Sequence, residues 1–284
     1  MNNQEFQQLL QSTYQGLESN NFATLGHPEK PLWDSPIFGI ASGDDEYFSF
    51  LKEHIGPFHW SPREVFCLKY GEADLPEPSR LRVISIAFPQ TAETKASQEN
   101  ETLAPCRNWI VSRGEWEPLM KVFSGRLVDQ LESQGIRAVS IDLQPEFHVV
   151  KDGPLGISST WSHRHAAYAA GLGTFGLSDG MITEKGKAVR FTTMVVEAPL
   201  EITARTYKSP YEWCLYYQDG SCGLCVHRCP TQAITRENGH DKDACLAYED
   251  YFAEHYWPEG LDPKDYILGC GLCQVGIPCQ DKRP

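Results

Sequence analysis

Residues 219–234 have the sequence DGSCGLCVHRCPTQAI, and the spacing of the cysteines in this stretch decides what kind of domain it belongs to. Bacterial iron–sulfur clusters are held by the run C-x2-C-x2-C-x3-C-P. Cys222, Cys225 and Cys229, followed by Pro230, supply the last three cysteines of that run. The first cysteine would stand at position 219, which is Asp219. The stretch therefore predicts an iron–sulfur site whose fourth ligand has moved or is an aspartate.

The remaining cysteines are concentrated in the same part of the chain. Of ten cysteines in all, eight fall between positions 214 and 279, which is the number that two [4Fe–4S] clusters need. In two-cluster ferredoxins the cysteine before the proline ligates the other cluster. This rule predicts one cluster on Cys222, Cys225, Cys279 and a fourth ligand, and a second cluster on Cys229, Cys245, Cys270 and Cys273.

The fourth ligand of the first cluster is either Cys214 or Asp219. Cys214 is favoured because thiolate is the softer ligand and suits iron in a sulfide cluster. The intervening residues LYYQDGS end in a turn-forming DGS that can fold the chain back. Zinc could also use the two C-x2-C pairs, but the Cys-Pro and the count of eight favour iron–sulfur.

Composition limits the classes of function. A chain of 284 residues with 41% hydrophobic residues fits one large domain or two unequal ones. The first residues are polar and no run of 18 apolar residues occurs, so we expect a cytoplasmic protein with no membrane partner. The net charge of −13 shows no basic stripe of the kind that binds nucleic acid.

The first two hundred residues alternate predicted strands and helices. The predicted strands are residues 63–70 (with Cys67 buried on it), 80–89, 137–143 and 189–199. Residues 117–135 have helical periodicity, and Gly135 stands where a C-terminal cap belongs. Residues 91–102 are polar and are predicted to form a loop, and Cys106 is given no role.

The stretch SSTWSHRHAAYAAGLGTFGLSDGMIT, residues 158–183, is the most informative part of this region. Ser158, Ser159 and Thr160 are predicted N-caps of a short alanine-rich helix that Gly171 ends. Small residues followed by closely spaced glycines let the backbone approach a large flat ligand, or else let a helix pack tightly on a sheet. The residue types leave both interpretations open.

The order of motifs from residue 163 onward resembles the epoxyqueuosine reductase group, cobalamin-dependent iron–sulfur reductases related to the reductive dehalogenases. The family has a helix that starts with Glu-Arg, followed by A-x-x-A-G-L-G-W-x-G-K-N, and here residues 163–178 are HRHAAYAAGLGTFGLS. The family's C-P-T-x-A-I, lone cysteine in C-x-S-Y and final G-C-x-x-C-Q correspond to residues 229–234, 245–248 and 269–274.

The resemblance implies an α+β fold with two parts. Residues 1–205 would form a nitroreductase-like α/β sandwich that binds a corrinoid, or alternatively a flavin, and residues 206–284 a bacterial two-cluster ferredoxin-like domain. Family members hold cobalamin through backbone and small side chains, without a protein ligand to cobalt. The residues that the resemblance places at the cofactor are Ser162, Arg164, Ala170, Gly171, Leu172, Gly173, Thr174, Phe175, Gly176 and Ser178.

The chain departs from the family where catalysis is concerned. The family's catalytic aspartate precedes the arginine of Glu-Arg by about seven positions, and residues 156–158 contain no acid. The lysine of G-K-N is Leu177, and the glutamate of Glu-Arg is His163. With the aspartate gone, the expected proton donors are His163, His165 and Tyr168.

The resemblance also implies an electron path and partners. An external low-potential donor, such as a ferredoxin or flavodoxin, would reduce one cluster, and the other would pass electrons to cobalt. The helical-repeat tail of the tRNA-modifying members has no counterpart here, and the chain is acidic. We therefore expect a small-molecule substrate rather than tRNA. The alternatives are an electron-transfer or corrinoid-reducing protein that serves a partner, and a flavin-dependent version of the same fold.

Overall fold

A computed structural model describes residues 1–266 and 269–284. The α-helices of these residues are α1 (Asn3–Gln15), α2 (Glu46–Ile55), α3 (Pro62–Tyr70), α4 (Ala92–Glu99), α5 (Arg107–Gly114), α6 (Trp116–Ser133), α7 (His163–Ala169), α8 (Leu215–Asp219), α9 (Leu224–Arg228) and α10 (Lys242–His255). Short 3-10 helices lie at Ala23–Leu25, Pro78–Arg80, Ile141–Leu143, Pro263–Asp265 and Leu272–Gln274.

The strands form a central antiparallel sheet and three small hairpins. They are β1 (Ile37–Ser42), β2 (Leu81–Pro89), β3 (Ala138–Ser140), β4 (Val149–Gly153), β5 (Gly156–Ser159), β6 (Gly173–Phe175), β7 (Met181–Thr183), β8 (Val189–Glu197), β9 (Ile234–Thr235) and β10 (Gly239–His240). The sheet order is β1-β2-β8-β3, and β4–β5, β6–β7 and β9–β10 are the hairpins. The long strands β2 and β8 pair from Leu81 opposite Glu197 to Pro89 opposite Val189.

Helices cover both faces of the central sheet. Because alternate residues of a strand point to opposite faces, β2 contributes to two separate core clusters. Ile84 and Ile86 belong to the cluster that contains Phe123 of α6. Val83 belongs to the cluster that contains Phe66 of α3. The continuous apolar sequence of β2 reflects this burial on both sides.

Helix α7 lies close to the sheet because β1 has a glycine at the crossing point. A Cβ on Gly39 would stand 2.1 Å from the carbonyl oxygen of Ala170, which no side chain can do. Gly171 then ends the helical segment in the left-handed region, at φ 77°, as its sequence position predicted. This close approach determines where the glycine-rich segment after α7 begins the β6–β7 hairpin.

The predicted N-caps of α7 are wrong. Ser158 and Ser159 belong to β5, and Thr160 follows that strand. The helix begins later, after Ser162, whose hydroxyl accepts a hydrogen bond from the backbone N–H of His165. Several serines in a row made the start of the helix ambiguous in sequence, since each could cap it.

The predictions for β2, β8 and α6 are confirmed, and Gly135 has the left-handed φ of 77° expected of a cap. Residues 137–143 form only the short strand β3 before a 3-10 turn. Two other predictions are wrong. Residues 63–70 lie in α3, which begins with a capping box between Ser61 and Glu64, so Cys67 is partly exposed on a helix. Residues 92–99 form α4, which Thr91 caps.

The cysteine-rich segment packs directly against the sheet domain. The backbone N–H of Lys187 donates to the carbonyl of Cys279 at 2.8 Å. The indole Nε1 of Trp109 donates to Gly269 at 3.0 Å, and the amide of Gln98 donates to Cys270 at 2.9 Å. The division of the chain at residues 205 and 206 stays a prediction. Within the described residues, no helix is both long and apolar enough to cross a membrane.

Candidate iron-sulfur centres and the adjoining cavity

Two cavities divide the eight clustered cysteines into two sets of four. The smaller cavity, of ≈ 20 Å³, is lined by Cys214, Cys222, Cys225 and Cys279. The larger, of ≈ 510 Å³, is lined by Cys229, Cys245, Cys270 and Cys273. The spacing rule for two-cluster proteins predicts seven of these eight assignments, and Cys214 is the favoured candidate for the fourth ligand of the first cluster. We refer to the two sets below as the outer set and the inner set.

The outer set draws its members from both ends of the cysteine-rich segment. The pKa of the Cys279 thiol is raised to about 11, chiefly by burial, with Lys187 lowering it and the nearby thiols of Cys214, Cys225 and Cys222 adding to the rise. Coordination to iron would deprotonate such thiols. Four thiols gathered around one cavity in this way are more typical of a cluster-binding site than of unligated cysteines.

The two candidates for the fourth outer ligand have different surroundings. Cys214 precedes α8 and lines the smaller cavity. Asp219 ends the same helix, and its carboxylate accepts a hydrogen bond from the backbone N–H of Ser221 at 2.8 Å. Asp219 is exposed and does not line this cavity within the described part of the chain. This geometry supports Cys214.

The four cysteines of the inner set are all partly buried. Burial raises the pKa of Cys270, and Cys273, Cys245 and Glu249 raise it further. Glu249 also accepts a hydrogen bond from the backbone N–H of Cys270 at 3.4 Å. Across residues 1–266 and 269–284, no three His, Cys, Asp or Glu side chains converge closely enough to hold a single metal ion.

Lys187 lies between the two sets. Its side chain is 2% exposed. Burial disfavours its charge, but the cysteine sulfurs outweigh this effect and its pKa is raised, with contributions from Cys279 and Cys225 of the outer set and Cys273 of the inner set. A buried ammonium group therefore faces cysteines of both sets.

Beyond its cysteines, the larger cavity is lined by aromatic and cationic side chains. Arg113, Arg164 and Arg190 contribute the positive charge, and Trp33 and Trp109 contribute indole rings. A volume of ≈ 510 Å³ falls in the range of small-molecule and cofactor sites, about 300–1,000 Å³. The inner set thus opens into a space that can hold a ligand in addition to a cluster.

The three predicted proton donors lie in buried surroundings outside this lining. His163 has its Nδ1 2.9 Å from the hydroxyl of Thr193 and its Nε2 3.9 Å from Asp142 Oδ1, and burial lowers its pKa. Among the described residues that line the larger cavity, none of His163, His165 and Tyr168 occurs.

His165 and Tyr168 belong to an aromatic cluster instead. The imidazole of His165 lies 4.9 Å from the ring of Phe175, and burial lowers its pKa to about 3. Tyr168 packs 4.9 Å from Tyr47 and 5.0 Å from Tyr207. Their assignment as proton donors stays a prediction.

The predicted cofactor-contacting residues either line one of the two cavities, cap α7 or pack within the fold. Arg164 and Ser178 line the larger cavity, and Gly176 lines the smaller one. Ser162 caps α7. The others pack within the fold: a Cβ on Gly173 would stand 1.9 Å from the carbonyl oxygen of Ile182. The buried residues of this last group are Ala170, Leu172, Gly173, Thr174 and Phe175, with Gly171 partly buried beside them.

Several residues of the larger cavity carried no signal in the sequence. His240, on β10, has its Nδ1 3.4 Å from a carboxylate oxygen of Asp179. Asp179 has a left-handed φ of 56°, and its carbonyl accepts a hydrogen bond from Arg164 at 2.5 Å. The segments that meet here are far apart in the chain, so only the fold brings them together. The one local hint is the Asp-Gly turn at residues 179 and 180.

The comparisons with known proteins agree with this geometry. Residues 219–276 match the family described as "4Fe-4S double cluster binding domain". The match supports the prediction of two iron–sulfur clusters in the C-terminal part of the chain.

Two curated relatives carry the name epoxyqueuosine reductase. The protein of Cellulophaga algicola is 30% identical over 116 residues, which are 39% of this chain and 35% of the relative. The protein of Xanthomonas campestris pv. campestris is 28% identical over 261 residues, which are 85% of this chain and 64% of the relative. The chain spans less than two thirds of the length of either. The sequence resemblance to epoxyqueuosine reductases is confirmed.

A solved epoxyqueuosine reductase from Streptococcus thermophilus shares the fold. It aligns with a TM-score of 0.50 at 15% identity, covering 87% of this chain and 64% of that protein. The prediction of an α+β domain followed by a two-cluster domain is confirmed by this likeness and by the family match.

Proposed function

We propose that this protein is an iron–sulfur reductase that takes electrons from an external donor and delivers them to a ligand in the larger cavity. The observation that carries the proposal is the pair of four-cysteine sets, of which only the inner one opens into a cavity of ≈ 510 Å³. An electron carrier without a substrate has no need of such a space beside its cluster. The names of the curated relatives support the same class of reaction.

The two sets differ in the roles that they would take. Cys214, Cys222, Cys225 and Cys279 would hold the outer cluster, which receives electrons from a ferredoxin- or flavodoxin-like donor. Cys229, Cys245, Cys270 and Cys273 would hold the inner cluster, because their sulfurs share a cavity with the ligand-binding side chains. Lys187 lies between them and would lower the electrostatic cost of adding an electron to either.

The larger cavity fits a cofactor with a flat ring and polar side groups. Trp33 Nε1 and Gln90 Oε1 are buried in its lining without a hydrogen-bond partner among the described residues, and buried polar groups are normally paired. Trp109, Arg164 and Ser178 supply the rest of such a site. We propose cobalamin as this cofactor, which when bound supplies a strongly reducing cobalt centre. A flavin is the alternative.

Proton delivery is assigned to the His240–Asp179 pair. His240 lines the cavity, and the Asp179 carboxylate at 3.4 Å can orient its imidazole. Burial raises the pKa of Asp179, but the interactions with His240, Arg164 and Lys242 together outweigh it and the pKa is lowered overall, so this carboxylate stays ionised. The pair would take over the task of the aspartate that residues 156–158 lack.

The substrate is proposed in two forms. The names of the relatives indicate epoxyqueuosine, and we propose this compound, free or within tRNA, as the first substrate to test. The names of the relatives therefore favour a nucleic-acid partner, whereas the acidic composition alone counted against one. The absence of an acid at residues 156–158 supports the second form, a small molecule whose reduction uses a different proton donor.

The deciding experiment is anaerobic purification, iron analysis and addition of cob(II)alamin, followed by electron paramagnetic resonance. We expect about eight irons per chain and a shift of the cobalt signal to that of a four-coordinate or weakly coordinated centre. An unchanged cobalamin spectrum with the same iron count would reject cobalamin. Stoichiometric flavin absorbance would then favour the flavin form, and turnover only with a partner protein would favour an electron carrier.

A further inference from the structure

The lining of the larger cavity contains a cation with no partner among the described residues. Arg113 is paired with Glu117 at 3.0 Å, and Arg164 donates to the carbonyl of Asp179. Arg190 has no hydrogen bond or ion pair to any residue in 1–266 or 269–284. Its guanidinium lies over the ring of Trp116, 5.6 Å from the centroid.

The charge of Arg190 is not balanced by the groups around it. Burial lowers its pKa to about 9, and Arg113 and Arg164 act in the same direction. Glu117 and Glu249 act in the opposite direction without restoring the usual value. Arg190 is partly exposed, and a guanidinium without an acidic partner is suited to a ligand that brings negative charge to the cavity.

Two unpaired polar atoms lie in the same lining. Trp33, before β1, and Gln90, directly after β2, form an isolated antiparallel bridge. The register of β2 and β8 puts Arg190 opposite Phe88, two residues before Gln90. Trp33 is 0% exposed and Gln90 2% exposed, yet Trp33 Nε1 and Gln90 Oε1 have no partner in the described structure. The indole is a donor only, and the amide oxygen is an acceptor only.

We propose that Arg190, Trp33 and Gln90 form a binding site for a phosphate group. Phosphate oxygens accept from the guanidinium, which is suited to them, and from the indole N–H, while an O–H of the same ligand can donate to Gln90. Inorganic phosphate near neutral pH keeps one O–H for this bond, whereas an ionised carboxylate has none; a phosphodiester such as the cofactor's would donate from an O–H elsewhere on the same ligand. This inference rests on the proposed function. It adds that the ligand of the larger cavity carries a phosphate, which belongs either to the cofactor or to the substrate.

The test is calorimetric titration of the anaerobic, cluster-containing protein with inorganic phosphate at constant ionic strength. We expect binding that weakens at least about tenfold in Arg190→Leu and about threefold or more in Trp33→Phe, in line with the worth of charged and neutral hydrogen bonds. Trp33→Phe keeps a ring beside Trp116, so it guards against a folding defect in the arginine variant. Arg63→Leu, at an exposed position of α3, is the matched control and should bind as the unaltered protein does.

Equal phosphate affinity in the unaltered protein and in both cavity variants, or no measurable binding, would overturn the proposal. This outcome is independent of turnover and of corrinoid binding, so it is separate from a failure of the proposed function. The source of the phosphate is found by repeating the titration with cobalamin or with cobinamide, which lacks the phosphate, already bound. Phosphate binding blocked by cobalamin alone indicates the cofactor's phosphate, and binding that persists with both indicates the substrate's. Blocking by both would count against the site, because the corrin ring would then cover these donors.

Discussion

At the scale of single residues, Lys187 is the side chain whose charge should matter most to the clusters. It is buried, and its pKa is raised by cysteines of both sets despite the opposing effect of burial. A cluster becomes more negative when it is reduced, and a nearby cation stabilises that state. Lys187→Met should therefore lower the reduction potential of both clusters, by tens of millivolts at the order of magnitude that buried charges produce.

This prediction is checked by redox titration monitored by electron paramagnetic resonance, on protein whose iron content has first been shown to be unchanged. Lys185→Met is the matched control, because Lys185 is exposed two residues away. Methionine fills a similar volume without a charge, but removing one partner of a buried charge interaction is destabilising, so the iron content is what shows that both clusters are intact. Potentials that agree between Lys187→Met and the control would show that the ammonium does not act on the clusters.

Single residues that belong to no sequence motif could not be identified from the sequence. The cysteines could be sorted into two sets because the C-x2-C-x3-C-P run at residues 222–230 carries the rule that the cysteine before the proline ligates the other cluster. Arg190, Trp33 and His240 form no motif, and each comes from a different part of the chain. These three residues line one cavity only because β8, the segment before β1 and the β9–β10 hairpin fold around it.

At the scale of elements, the contact between β1 and α7 depends on one missing methyl group. A Cβ at position 39 would stand 2.1 Å from the Ala170 carbonyl oxygen, a backbone atom that cannot move without the helix. Gly39→Ala should therefore destabilise the protein by about 1–3 kcal/mol, the usual cost of overpacking. Gly125→Ala is the matched substitution: nothing lies within 4 Å of its Cβ, and alanine in the interior of α6 should stabilise by about 0.5–1 kcal/mol.

The measurement is anaerobic denaturant unfolding of the iron-loaded protein, followed by circular dichroism and by loss of cluster absorbance. The two variants should shift the midpoint in opposite directions. Shifts of the same sign, or a Gly39→Ala variant as stable as the unaltered protein, would mean that α7 can move away from β1.

Elements were predicted well where the pattern was long and poorly where it was short. The apolar run of β2 and the periodicity of α6 extend over nine and eighteen residues, respectively, long enough to distinguish a strand from a helix. In residues 63–70 the run Val-Phe-Cys-Leu is too short to do so, and the capping box at Ser61 and Glu64 decides for a helix. The polar helix α4 has little apolar periodicity, although Thr91 supplies a capping signal.

At the scale of the whole molecule, the positions of the two cysteine sets and the cavity predict one direction of electron flow, from the outer set to the inner set and then to the ligand. The outer set lies away from the larger cavity, and the inner set lines it. Loss of the outer cluster should therefore stop the entry of electrons from a donor while leaving the ligand cavity intact. Cys214 is the residue with which to test this, because it belongs to the outer set but stands outside the continuous cysteine run.

Cys214→Ala is expected to lose about four of eight irons and to keep the spectrum of the inner cluster. It should bind cobalamin as the unaltered protein does, because Cys214 does not line the larger cavity in the described structure, but an external ferredoxin should no longer reduce the inner cluster. Asp219→Ala is the control: its carboxylate only caps the turn at Ser221, so all irons and electron entry should be retained. The converse result, full iron in Cys214→Ala and half in Asp219→Ala, would transfer the fourth ligand to the aspartate. If both variants lost the inner cluster as well, the two centres would have to assemble as one unit, and the order of electron flow could not be assigned from the cavities.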